Sequence, residues 1–271
     1  MGDHLITEAV ILAGGLGTRL RGKTGVPKYL LEVDGVPLIR YPIGSLVRAG
    51  VEKFTFVVAH LFKKRLENLL RSCELEYCLV ENRHPDLGNG YSLLRAEPCV
   101  EKSPFYVSMC DHIYTSYIPL QLARRMKEID DFIVLISGDS SPKYIDIEEA
   151  TKLITDDRGR LLNAGKRLKT YTHVDTGVFV MSREIFSIGE SLESGPLELT
   201  SLLISLAMGT GKVFVIDVAG TPWTEVDTVE DLEQLVRGER RIVLRALKKE
   251  PPEREALFLD LPSKDSTESF L

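Results

Sequence analysis

Cysteine is scarce in this chain: four among 271 residues, at Cys73, Cys78, Cys99 and Cys110, with no CxxC pair. That scarcity excludes a disulfide-built scaffold, and the lack of paired spacing removes one cue for zinc. The four read as reduced, buried thiols of a cytoplasmic protein. His4, His60, His84, His112 and His173 show no zinc spacing either. Basic charge is not in excess: 34 Lys and Arg face 40 Asp and Glu, a net charge of −6. The balance therefore offers nothing to a nucleic-acid backbone. No apolar run approaches the roughly 18 residues of a membrane-spanning helix. Ala9–Ala13 is too short for a secretory leader, and Met1–Glu8 before it carries no basic cluster. What remains is 44% apolar and 27% charged, the composition of a globular chain able to bury a sizeable core.

Strand-like and helix-like runs alternate. Ala9–Ala13, Phe54–Val58, Leu75–Val80, Phe105–Met109 and Phe132–Ile136 are short and apolar, as strands buried on both faces tend to be. Phe62, Leu66, Leu69, Leu70 and Cys73 share one helical face. Ile118, Leu122, Met126 and Ile129 share another, with Pro119 suited to a first helical position. The alternation predicts an α/β fold with a doubly wound, mostly parallel sheet and right-handed crossovers. Ligands of such sheets bind beyond the carboxyl ends of the strands. Further on, Thr172–Met181 and Lys212–Ile216 read as strands, and Leu199, Leu202, Leu203 and Leu206 as a helix closed by Gly209. Thr228-x-x-Asp231 matches a capping box opening a long helix through Leu247, which Pro251-Pro252 stops. The simplest organisation is one domain over 1–238, followed by a helix end and a mobile tail over 239–271.

The strongest local feature follows the first strand: Leu12-Ala13-Gly14-Gly15-Leu16-Gly17-Thr18-Arg19-Leu20, then Pro27-Lys28. Glycines there let successive N–H groups face one anion, and Arg19 and Lys28 add positive charge at the rim. Two other motifs match in part. Gly17-x-x-x-x-Gly22-Lys23-Thr24 has the letters of a P-loop, the pattern of an ATPase or kinase, but Pro27 would disrupt the helix that must start at the Gly-Lys step. Tyr29–Val33 reads as strand instead. A dinucleotide fingerprint would need glycine where Leu20 stands.

Gly-x-Gly-Thr-Arg followed by Pro-Lys resembles the signature of the sugar-phosphate nucleotidyltransferases. That resemblance implies a Rossmann-like sheet of the nucleotidyltransferase type with a C-terminal helical extension. Leu12, Ala13, Gly14, Gly15, Gly17 and Thr18 would wrap the nucleotide, with Arg19 and Lys28 on its triphosphate. Asp111, closing Phe105–Cys110, and Asp227, after Trp223–Val226, stand at strand ends, where an aspartate by itself is more often a turn or cap residue. By the resemblance they hold a catalytic Mg²⁺. His112 would face away from Asp111 in extended chain, which favours packing over ligation.

Narrower segments resemble the CTP:inositol-1-phosphate cytidylyltransferases. They are Gly88-Asn89-Gly90-Tyr91-Ser92, Met109–Tyr114, Asp146–Lys152, Gly165-Lys166 and Val174-Asp175-Thr176-Gly177, in order from residue 8 to about 238. The resemblance implies CTP and inositol 1-phosphate as substrates and CDP-inositol as product. Gly88, Asn89, Gly90 and Ser92 would bind base and ribose. Lys152, Lys166, Asp175 and Thr176 would bind the acceptor, with Lys166 also catalytic. On local pattern alone, Gly88–Gly90 is a turn and the lysines are solvated charges. Asp175 among apolar strand residues needs partners. Cys110 departs from the pattern, since a glycine commonly precedes the aspartate, and Lys23-Thr24-Gly25 lengthens the loop. A uridylyl- or thymidylyltransferase acting on a hexose 1-phosphate is the nearest alternative. Some family members carry a membrane-embedded synthase domain downstream, as further sequence or as a partner.

Overall fold

The computed structural model describes residues 6–17, 22, 25–192 and 196–250. The first strands are β1 (Glu8–Ala13), the hairpin β2 (Glu32–Val33) and β3 (Val36–Pro37), β4 (Lys53–Ala59), β5 (Glu76–Asn82) and β6 (Phe105–Met109). Then come β7 (His112–Tyr114), β8 (Val134–Asp139), β9 (Lys152–Thr155), β10 (Leu161–Gly165), β11 (His173–Met181), β12 (Val213–Asp217) and β13 (Trp223–Glu225). The helices are α1 (Arg40–Arg48), α2 (Lys63–Leu70), α3 (Gly88–Leu94) and α4 (Tyr117–Met126), followed by α5 (Glu184–Leu192), α6 (Leu199–Thr210), α7 (Val229–Arg237) and α8 (Arg241–Leu247).

The main sheet runs β5-β4-β1-β6-β11-β8-β12, with β9 and β10 continuing from the first residues of β11. Pairing is parallel except where β11 lies antiparallel to β6 and β8, and at the β9–β10 and β9–β11 pairs. The strand alternation explains how the sheet is covered. Ala9, Ile11 and Ala13 of β1 face a core completed by Ile43 and Leu46 of α1, Leu66 of α2 and Ile118 of α4. Val10 and Leu12 face the opposite core, with Leu93 of α3 and Leu202 and Leu206 of α6. Both faces are covered, which is why Ala9–Ala13 is apolar without interruption. Truncating a side chain as buried as Phe54 would cost about 3–5 kcal/mol. A third core joins Val33, Leu38 and Ile113 to Leu235, Val243 and Leu244 of the C-terminal helices.

Several expectations are corrected. Tyr29–Val33 is not a strand: Lys28–Leu30 forms a 3-10 turn after Pro27, and β2 keeps two residues. Gly25–Pro27 is non-helical, so this segment does not continue a P-loop helix; Lys23 and Thr24 lie outside the described residues. The strand expected at Phe132 starts at Val134. Pro119 is third in α4, still within the turn where its missing N–H costs nothing. α6 ends at Gly211, whose φ of 67° is left-handed, and not at Gly209. The long terminal helix is two, parted at Gly238; its capping box between Thr228 and Asp231 is present. Pro251-Pro252 lies outside the described residues. Cys78 and Cys99 are bonded to each other, with Cα atoms 6.1 Å apart, whereas Cys73 and Cys110 are free thiols. Their 21-residue separation carries no motif, and the fold alone brings them together. Among the described residues no helix is long and apolar enough to cross a membrane.

Candidate active site

The sheet reverses its order of growth at β1, with β4 on one side and β6 on the other, and a cleft of about 300 Å³ opens over these strand ends. Such switch points are where doubly wound sheets bind ligands. Leu12, Ala13, Gly14, Gly15 and Gly17 line one wall, Lys28 and Asp111 another, and Gly88, Asn89 and Ser92 a third. Parallel register explains part of this. Leu12 pairs with Met109, and the Cys110 N–H donates to the Leu12 carbonyl at 3.3 Å, so the glycine loop and Asp111 leave the sheet side by side.

Asp227 arrives by another route. β7 and β13 form an antiparallel ribbon in which His112 faces Glu225, and the Val226 N–H donates to the Asp111 carbonyl at 3.1 Å. The two aspartates therefore emerge together. Lys28 Nζ stands 2.5 Å from Asp111 Oδ2 and also bonds Asp227 Oδ1. Burial disfavours the Lys28 charge, but the two carboxylates outweigh it and hold its pKa above the usual lysine value. Burial likewise opposes charge on Asp111, and Lys28 and His112 overcome it, so this carboxyl ionises below the usual range.

His112 is better placed than extended-chain reasoning allowed. Asp111 sits in a turn, so the two side chains meet, Nδ1 lying 2.7 Å from Asp111 Oδ1. The imidazole stacks on Trp223, ring centroids 6.2 Å apart, and its Nε2 lies 3.4 Å from Glu225. Burial would lower its pKa, but Asp111 and Glu225 raise it to about 9. Trp223 is held in turn by a bond from its indole N–H to buried Asp139, 2.8 Å.

The remaining expected residues divide. Thr18 and Arg19 lie outside the described residues. Gly90 is absent from the cleft lining; it lets the Leu197 carbonyl approach to where a Cβ would stand 2.6 Å away. Asn89 lines the cleft and also accepts the first N–H of α6 from Leu199 at 2.7 Å. Lys152, Lys166 and Asp175 lie where β9 and β10 join the start of β11: Lys152 pairs with Gly165 and Val174, and the Asp175 N–H donates to the Thr151 carbonyl. Lys152 is buried, its Nζ donating to the Lys166 carbonyl at 2.7 Å, while the Lys166 side chain is exposed. Burial raises the Asp175 pKa to about 6, against the pull of the Gly177 N–H and His112. The Thr176 side chain is fully buried and bonded to Ser137 Oγ. Missed by sequence reasoning were Pro85, Glu198 and Tyr29, which also line the cleft and belong to no motif.

The family model of the MobA-like NTP transferase domain matches residues 9–184. The chain belongs to that family. This NTP transferase domain is 34% identical to a bifunctional IPC transferase and DIPP synthase of Aquifex aeolicus, over 90% of the chain and 54% of the relative. It is 35% identical to the protein of the same description from Archaeoglobus fulgidus, over 90% of the chain and 45% of the relative. The chain thus spans about half the length of these curated relatives. Among solved structures, the inositol-1-phosphate CTP transferase from T. maritima superposes with a TM-score of 0.80 at 33% identity, covering 92% of this chain and 98% of that one. Nucleotidyltransferases of this kind generally use a divalent metal. The residues fit one: two hard carboxylates converge on a single point, now spanned by the Lys28 ammonium. A pair of carboxylates is a set that suits a cation such as Mg²⁺, whose coordination substrate oxygens and water complete.

Proposed function

We propose that this domain transfers CMP from CTP to inositol 1-phosphate, giving CDP-inositol and pyrophosphate, and works in the cytoplasm. The convergence of Lys28, Asp111 and Asp227 beside the glycine loop carries the reading. Similarity to the inositol-1-phosphate CTP transferase supports the choice of substrates.

The acceptor phosphate is anionic near neutral pH and needs no strong base to make it a nucleophile. One of its oxygens attacks the α-phosphorus of CTP in line, the α–β bridging P–O bond breaks, and pyrophosphate leaves. The glycine loop offers backbone N–H groups to the triphosphate, and Lys28 neutralises charge that grows on the phosphoryl oxygens. Asp111 and Asp227 would hold Mg²⁺, which when bound supplies further charge neutralisation. Arg19 would steady the triphosphate. Lys152 and Lys166 would hold the acceptor phosphate, and Asp175 would accept hydrogen bonds from ring hydroxyls.

A panel of CTP, UTP, ATP and dTTP crossed with inositol 1-phosphate and glucose 1-phosphate tests this. Pyrophosphate release with CTP and inositol 1-phosphate is expected to dominate. Turnover only with UTP or dTTP and the hexose phosphate would overturn the substrate assignment.

A further inference from the structure

Asn82 ends β5 with its side chain fully buried, outside every motif described above, and its hydrogen bonds carry direction. Its Oδ1 accepts from the His84 backbone N–H at 2.8 Å. A backbone N–H can only donate, so the amide orientation is set and Nδ2 must face the other way. There it donates to Ser92 Oγ at 2.9 Å. The Ser92 hydroxyl in turn donates to the Gly88 carbonyl at 3.2 Å, and a carbonyl can only accept. One lone pair of Oγ is taken and its hydrogen is committed. What Ser92 has left for the cleft it lines is a lone pair, an acceptor.

The position of this acceptor matters. β5 and β6 are separated by β4 and β1, three strand spacings of about 4.8 Å each, or roughly 14 Å. Were a nucleotide to lie along this cleft with its phosphates at Lys28 and Asp111, the far wall of the same cleft, with Gly88, Asn89 and Ser92, would be left for its base. The glycine loop presses on the same group: a Cβ at Gly14 would fall 2.6 Å from Ser92 Oγ and 3.3 Å from Asn82 Nδ2.

We propose that Asn82 is a positioning residue that fixes the Ser92 hydroxyl as an acceptor toward the nucleotide base, so that a pyrimidine with a 4-amino group is accepted and one with a 4-oxo group is refused. The inference rests on the CTP reading and deepens it. An amino group donates to the waiting lone pair, whereas a carbonyl there would set acceptor against acceptor and leave both unpaired, a mismatch that sites built around hydrogen bonds reject strongly.

The experiment measures kcat/KM for CTP and for UTP, each with inositol 1-phosphate, on one preparation per variant, so the folded fraction cancels in the ratio. Ser92→Ala and Asn82→Ala are each expected to lower the CTP-to-UTP ratio by about tenfold, and Asn82→Ala to add nothing in the Ser92→Ala background. Equal loss on both nucleotides in Asn82→Ala, or the same further drop without the serine, would overturn the proposal and leave Asn82 a packing residue. An unchanged ratio in Ser92→Ala would overturn it too, and that variant alone suffices should Asn82→Ala prove insoluble. Wild-type protein that turns over no CTP would instead overturn the function proposed above.

Discussion

The Val226 N–H donates to the carbonyl of Asp111 at 3.1 Å, and this bond extends the β7–β13 ribbon to the point where Asp111 and Asp227 can share Lys28. Two acids far apart in sequence become one site through a ribbon whose strands are three residues each.

Replacing either acid should remove activity while the fold persists. Asp111→Ala and Asp227→Ala are each expected to lower kcat by about a thousandfold, with circular dichroism unchanged. Near-normal pyrophosphate release in either variant would refute its place at the cation.

Lys28 distinguishes this site from a P-loop. Lys28→Ala should lower kcat by about 10²- to 10³-fold, whereas Lys23→Ala should stay within about twofold. The reverse pattern would restore the P-loop reading. Lys28→Ala also removes the ammonium between two carboxylates and should destabilise metal-free protein by about 3 kcal/mol. Mg²⁺ should therefore raise the Tm of this variant more than that of the wild type. Equal shifts would argue against a shared cation position.

His112 orients Asp111 and is packed against Trp223. Partners of metal-binding carboxylates typically contribute about 10- to 100-fold to metal affinity or activity. His112→Gln is expected to raise the half-saturating Mg²⁺ concentration by that factor, read from activity titrations. An unchanged Mg²⁺ requirement would reduce His112 to packing.

Asp175 gives a pH-dependent test. Burial raises its pKa from 3.8 to about 6, so the folded state holds this proton more tightly than the unfolded state. Its contribution to stability is present below about pH 4 and is lost as pH rises to about 6. Asp175→Asn keeps an acceptor for the Gly177 N–H, which lies 2.8 Å away. It should match wild type in stability near pH 4 and exceed it by about 1–2 kcal/mol above pH 6, discounted for the partial exposure of this side chain. The same change should raise KM for inositol 1-phosphate about tenfold. Chemical denaturation across this pH range checks the first claim; a constant difference across it would show that Asp175 does not titrate there.

Much of this was legible in the chain because the physics was local. Ala9–Ala13 and Phe105–Met109 are buried on both faces, so they are apolar apart from Ser108 and read as interior strands. The glycine loop follows its strand directly, and the Thr228–Asp231 capping box is complete within four residues. Such features need no knowledge of distant partners. β13 was legible as the run Trp223–Val226 ahead of Asp227, but β7 was not, since three residues carry too little periodicity. Nor was α1, where Arg40, Pro42 and Gly44 blur the helical stripe although all three are buried.

The sequence by itself determined the alternation of strands and helices and the glycine-rich turn after the first strand, because backbone sterics and hydrophobic periodicity act over a few residues. Only the tertiary structure decided that Asp227 reaches Asp111, that His112 turns toward that acid, that Thr176 is buried against Ser137, and that Asn82 bonds the Ser92 hydroxyl. Each depends on hydrogen bonds between segments distant in the chain, whose geometry exists only once the sheet is assembled.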